Sequence, residues 1–175
     1  GFDRDRAREL QWLFVSNHIH PEKNQHVLDG LYGFAESLGV HDRVLRWDLP
    51  IPEEAQAYAR RLVPDARPTL VISPCSSHRL RNWNAEGYAA VAPYARRAHG
   101  MRVILVGGRS VVERQMADAI LMRAKTPIVD TVGQDTLPQL LALLARADVL
   151  VSPDSGPAHM ATAVGTPVIG LYAAT

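Results

Sequence analysis

From Thr69 onward, short apolar runs alternate with stretches in which apolar residues recur every three or four positions. The runs are Thr69 to Pro74, Met101 to Gly107, Pro127 to Asp130, Asp148 to Ser152 and Pro167 to Tyr172. Alternation of this kind marks βα units built around a parallel sheet. The runs are near-continuous in Val, Ile and Leu, so most are expected to be strands covered on both faces. Right-handed crossovers between them then predict an α/β fold with an open, doubly wound sheet.

The intervening stretches carry helix start and stop signals. Asn84 can cap a helix from Ala85 to about His99, with Trp83 and Tyr88 placed as a hydrophobic staple and Gly100 at the exit. Ser110 and Glu113 form an S-x-x-E capping box for the next helix, whose apolar stripe includes Met116, Ala119 and Ile120. Asp135 or Thr136 opens a third helix with Leu137, Leu140, Leu141 and Leu144 on one face. A fourth is expected from near Ser155 to Gly165.

The first 67 residues are less regular. Asn24 to Leu38 reads as a helix with an apolar stripe of Val27, Leu28, Leu31, Phe34, Ala35 and Leu38, stopped by Gly39. Pro52 to Val63 reads as a second, with Glu53 and Glu54 in its first turn and Arg60 and Arg61 in its last, both favourable to the helix dipole. Val40 to Pro50 is expected to hold a short strand and a linker. No complete βαβ unit fits here, so residues 1–67 read as the tail of a preceding domain and 68–175 as a separate α/β domain. The final run ends at Thr175, directly after an expected buried strand, so the chain reads as a piece of a larger fold.

Charge changes the picture little. The chain has 175 residues, 47% hydrophobic and 21% charged, with a formal charge of +1, a balance that does not suggest wrapping nucleic acid. A single cysteine, Cys75, cannot form an internal disulfide and fits a reducing, cytoplasmic setting. No apolar run approaches the roughly 18 residues of a membrane span, and the charged stretch Gly1 to Leu10 lacks the apolar core of a signal peptide.

The most informative stretch for chemistry is Asp148 to Ala163, which holds Ser152-Pro153-Asp154-Ser155-Gly156-Pro157-Ala158-His159. A strand ends, a tight turn follows, and a helix opens with a hydroxyl cap, a glycine that lets a ligand approach the backbone, and a proline that loses nothing in the first turn. Free N–H groups and the positive dipole end then face the carboxyl edge of the sheet, where a phosphate or pyrophosphate fits. A well-capped helix without a ligand explains the same pattern. His159, within the first turn, can donate to the same anion. Asp154 is either a turn residue or an acceptor for sugar hydroxyls beyond the phosphates.

Two further loops qualify. Ser73 to Trp83 brings Arg79, Arg81, two serines and His78 to the end of a strand as an anion clamp, against the alternative of solvated arginines. Val106-Gly107-Gly108-Arg109-Ser110 allows a tight turn, but neither G-x-G-x-x-G, a P-loop nor a G-x-S-x-G elbow is present. Metal-ligand spacing is also lacking. His18, His20 and His26, interleaved with Lys23 and Gln25, read either as surface polar residues or as a polar face for an anionic acceptor.

From Asp130 to Thr175 the sequence resembles the glycosyltransferase family 9 heptosyltransferases of lipopolysaccharide core assembly. The resemblance lies in Thr131-Val132-Gly133, Leu137 and Ala145 to Asp148, and above all in Asp154 to Ala161 followed by Gly165-Thr166-Pro167-Val168. Looser matches cover Leu70 to Trp83, Val106 to Glu113 and Gln25 to Gly39. The resemblance implies a GT-B architecture in which residues from about 68 form most of the nucleotide-sugar donor domain and residues 1–67 end the acceptor domain.

It further implies inverting, metal-independent transfer of heptose from ADP-heptose to the lipopolysaccharide inner core, with no cofactor beyond the donor substrate. Carried over by residue, Ser155, Gly156, Pro157 and His159 hold the diphosphate and Asp154 meets the heptose or positions its loop. Arg81 stands where the family often has a lysine, which changes its phosphate geometry. Glu113 falls near a position that meets the adenosine ribose, although its capping-box role suffices without a ligand. The catalytic base is expected outside this chain, so no catalytic residue is assigned. A cytoplasmic enzyme with transient contact at the inner face of the inner membrane follows from the acceptor. The alternatives are a non-catalytic nucleotide-sugar-binding module and a sugar-nucleotide epimerase of the same layout.

Overall fold

Strands β1 (Thr69–Ile72), β2 (Arg102–Leu105), β3 (Val129–Asp130), β4 (Val149–Ser152) and β5 (Val168–Gly170) pair in parallel in the order β3-β2-β1-β4-β5. The computed structural model describes residues 1–20, 22 and 24–172, so Lys23 and the residues after Tyr172 lie outside the described residues. The helices are α1 (Val27–Ser37), α2 (Glu53–Leu62), α3 (Ala85–His99), α4 (Val111–Arg123), α5 (Leu137–Leu144) and α6 (Gly156–Ala163). By contacts the chain divides into Gly1–Arg46 and Trp47–Thr175.

In the second unit the two-residue period of the strands sorts the core into two layers. Val71, Ile104, Val106 and Leu150 face α2, α5 and α6, whereas Leu70, Ile72, Val103, Leu105 and Val151 face α3 and α4. Val71 lies opposite both Ile104 and Leu150, so a shift by one residue would exchange every side chain between the layers. The central strands β1, β2 and β4 are covered on both faces as expected. The edges are not: Val129 of β3 and Ile169 of β5 are 40% and 52% exposed.

The helix signals hold with small changes. Asn84 caps α3 by accepting the Gly87 N–H at 2.7 Å, and Gly100 closes it with φ 65°. Trp83 packs edge-on against Tyr88, 5.3 Å between ring centroids, and its ring occupies the space a Cβ on Gly87 would need. Thr136, rather than Asp135, caps α5 in a reciprocal box with Gln139. In α4 the buried positions are Ala117 and Ile120, while Met116 and Ala119 are half-buried.

The division falls some twenty residues before the compositional change at Arg67, because α2 packs on α5. Ala55 and Ala59, both at most 1% exposed, sit in one cluster with Leu143, Leu144 and Leu150. Arg146 ties the exit of α2 to the sheet side by donating to the Val63 carbonyl at 3.0 Å. Small alanines permit that close approach, so α2 packs with the α/β unit.

In the first unit, α1 begins at Val27 and not at Asn24, with His26 as its cap accepting the Leu28 N–H on Nδ1 at 3.2 Å. The expected stripe of α1 is largely exposed, with Val27, Leu31 and Leu38 all open, and Phe34 meets Phe2 edge-on at 4.9 Å. Val40 to Pro50 contains no strand.

Candidate functional site

The chain runs outward from β1 to β2 and β3, then returns to β4 on the other side of β1. That reversal leaves a crevice beyond the carboxyl ends of β1 and β4, the place where open α/β sheets bind ligands. A cleft of about 650 Å³ occupies it, walled by the loops that follow β1, β2 and β4 and by the start of α5. Among the described residues no three His, Cys, Asp or Glu side chains converge as a metal site, and no helix is long and apolar enough to cross a membrane.

The start of α6 forms one wall through Ser155, Gly156 and Pro157. Sequence suggests that Ser155 caps this helix with its hydroxyl, but that hydroxyl meets Ser152 Oγ at 2.7 Å and makes no capping bond. The Ser155 carbonyl accepts the Ala158 N–H, Pro157 has no N–H to offer, and the Gly156 N–H meets no acceptor among the described residues. A Cβ on Gly156 would find nothing within 4 Å. An unpaired N–H and open space at a helix start favour an oxyanion.

Of the residues singled out from sequence, Glu113, Ser155, Gly156 and Pro157 line the cleft, whereas Arg81, Asp154 and His159 are not on its wall. Those three meet one another instead. Arg81 Nη1 lies 2.9 Å from Asp154 Oδ2, and His159 Nε2 lies 3.7 Å from Asp154 Oδ1. Asp154 thereby joins the loop after β1 to the first turn of α6. The arginine that lines the cleft is Arg79, whose side chain makes no ion pair among the described residues. The sequence put both arginines in the clamp and the resemblance singled out Arg81; both lie in one short 3-10 turn, Arg79–Arg81, and only the backbone decides which faces inward.

Glu113 is committed to the loop after β2. One of its oxygens accepts the Gly108 N–H at 2.7 Å and the other the Ser110 hydroxyl at 2.6 Å. The other acid on the wall is Asp135, which sequence treats only as a possible cap. Its Oδ2 is buried without a hydrogen-bond partner, and burial raises its carboxyl from 3.8 to about 6. Cys75, buried beside the cleft, is pushed up to about 11 by desolvation, which keeps it a thiol.

The whole chain, residues 1–175, matches the model of glycosyltransferase family 9 (heptosyltransferase). The chain belongs to glycosyltransferase family 9. It is 42% identical to the lipopolysaccharide core heptosyltransferase OpsX of Haemophilus influenzae, over 99% of this chain and 50% of that protein. Lipopolysaccharide heptosyltransferase 3 of Escherichia coli is 29% identical over 99% of this chain and 52% of its own length. The chain spans about half the length of the curated relatives it matches.

Solved structures agree with this family 9 assignment. The family 9 glycosyl transferase of Veillonella parvula superposes with a TM-score of 0.77 at 25% identity, over 88% of this chain and 45% of that one. The E. coli heptosyltransferase WaaC with ADP-2-deoxy-2-fluoro heptose gives 0.69 at 25% identity, over 97% and 52%. The parallel five-stranded α/β unit is therefore the fold expected of a GT-B protein in this family.

In this family 9 chain the amino-terminal histidines His18, His20 and His26 line one pocket of the first unit, together with Asp29, Glu36 and Arg43. His18 Nδ1 meets the Phe2 carbonyl at 2.9 Å, His26 serves as the cap of α1, and His20 is exposed.

Proposed function

We propose that these residues bind the sugar nucleotide for a heptosyltransferase that moves heptose from ADP-heptose to the inner core of lipopolysaccharide, with inversion and without a metal. The observation that carries this reading is the unpaired Gly156 N–H at the start of α6, open to the cleft beside Arg79. The family membership and the ADP-heptose analogue held by the E. coli structure support the choice of nucleotide sugar.

Chemically, an acceptor hydroxyl attacks the anomeric carbon, the bond from that carbon to the β-phosphate oxygen breaks, and ADP leaves with the electron pair. The hydroxyl proton passes to a base that we assign to no residue of this chain. What these residues supply is stabilisation of the charge that grows on the diphosphate, through the α6 start, Arg79 and Arg81. Asp154 pairs with Arg81 and offers its carboxylate to sugar hydroxyls. An amphiphilic acceptor places the reaction at a membrane surface, on the cytoplasmic side where nucleotide sugars are held.

The test is to incubate the chain with ADP-heptose and heptose-deficient lipopolysaccharide, measuring donor binding by calorimetry and ADP release by a coupled assay. Donor binding that ADP competes away is expected, and so is the absence of acceptor-dependent turnover from these residues alone. Failure of ADP-heptose to bind, in a folded chain, would overturn the reading.

A further inference from the structure

We propose that Asn82 is a positioning residue for the diphosphate, acting through Arg79 and not on the ligand itself. This rests on the nucleotide-sugar reading of the cleft. Arg79 lines the cleft from a three-residue 3-10 turn, Arg79–Arg81, in the loop between β1 and α3. A turn that short has little cohesion of its own, and rotating it would carry Arg79 out to solvent. Its far end is fastened where Arg81 pairs with Asp154. Its near end depends on Asn82.

Asn82 closes the loop on itself, because its Oδ1 accepts the Ser76 N–H at 2.7 Å. Inside that ring, Ser76 Oγ accepts the His78 N–H at 3.2 Å and donates to the His78 carbonyl at 3.0 Å. The His78 and Arg79 carbonyls accept the Arg81 and Asn82 N–H groups at 3.0 and 3.1 Å. These inner bonds span two or three residues, whereas the Asn82 bond spans six and sets the outline of the loop.

Asn82 is itself held from behind. Trp83 packs edge-on against Tyr88 of α3, and Asn84 caps the same helix. Tyr88, Ala89 and Ala92 are buried against Leu70, Ile72 and Leu105, which seats α3 on the sheet. The loop therefore hangs from a rigid element through one side chain. An amide oxygen suits that task, since it accepts the Ser76 N–H without setting a negative charge beside a diphosphate.

The test is a double-mutant cycle on ADP affinity, with Asn82→Ala, Arg79→Ala and both together titrated by calorimetry. Asn82→Ala is expected to weaken ADP binding by about tenfold, the scale of one charge-assisted contact. The double variant is expected to bind ADP within about twofold of Arg79→Ala alone, because the loop then has no guanidinium left to aim. Adenosine is expected to bind all four chains alike, which also establishes that the cleft survives each substitution. Undiminished ADP affinity in Asn82→Ala would overturn the assignment, as would losses that add in the double variant or an equal loss of adenosine. Failure of the parent chain to bind ADP would overturn this inference and the nucleotide reading together, whereas ADP binding with additive losses would overturn this inference alone.

Discussion

Arg81 and Asp154 meet at 2.9 Å, which ties the loop after β1 to the loop between β4 and α6 across the point where the strand order reverses. Both side chains are partly exposed, so the pair itself adds little to stability. Its consequence is for the ligand: Arg81 offsets a carboxylate that would otherwise repel a diphosphate. Arg81→Ala is therefore expected to weaken ADP binding by roughly 1–3 kcal/mol while adenosine binding changes little. Calorimetric titration of both ligands checks this, and equal losses for the two would exclude a phosphate role. Arg79→Ala should show the same selectivity through direct loss of a charge on the cleft wall.

Gly156 separates folding from binding. Its Cβ position is open, so Gly156→Val is expected to melt within about 1 kcal/mol of the parent chain. The valine would fill the approach to the unpaired N–H and abolish ADP binding. A thermal melt and an ADP titration on the same preparation measure both. Undiminished ADP affinity in the folded variant would place the diphosphate elsewhere.

Asp135 makes stability depend on pH in a definite direction. Burial raises it to about 6, above the ordinary 3.8, so between these values the native state binds more protons than the unfolded one. The penalty of burying the charge is absent below about pH 4, grows through the interval and is complete above about pH 7. Asp135→Asn removes it and should be the more stable chain by roughly 1–3 kcal/mol at neutral pH, with the difference vanishing near pH 4. Urea unfolding of both chains across this range reports the difference. A gap that widens toward acid would contradict the burial of the carboxyl.

The α2–α5 contact gives a fold test. Ala59 is fully buried, and Ala59→Leu would force extra methylenes into the layer with Leu143 and Leu144. A loss of roughly 1–3 kcal/mol is expected by urea unfolding. No loss would mean that α2 does not form part of this core.

The α/β unit was legible because its strands are short runs of Val, Ile and Leu, and its caps, Asn84, Ser110 and Thr136, are local signals. The side of the boundary on which α2 falls was not, because Ala55 and Ala59 reveal their partner only when α5 is set against them. In the site, the Asp154 to His159 motif follows β4 and opens α6, as its local signals say from sequence. Which arginine faces inward, and that the Ser155 hydroxyl turns to Ser152, depend on backbone direction and on contacts between distant loops. Asp135 escaped notice because a capping residue and a buried acid look alike until the depth of the side chain is known.

Hydrogen exchange of the backbone amides, followed by mass spectrometry with and without ADP, tests the central claim most directly. ADP is expected to protect residues 155–160 at the α6 start and residues 76–82 of the loop after β1, and to leave α1 unchanged. Bound ADP that protected residues 18–36 while residues 155–160 exchanged as in the free chain would contradict the placement of the diphosphate at α6.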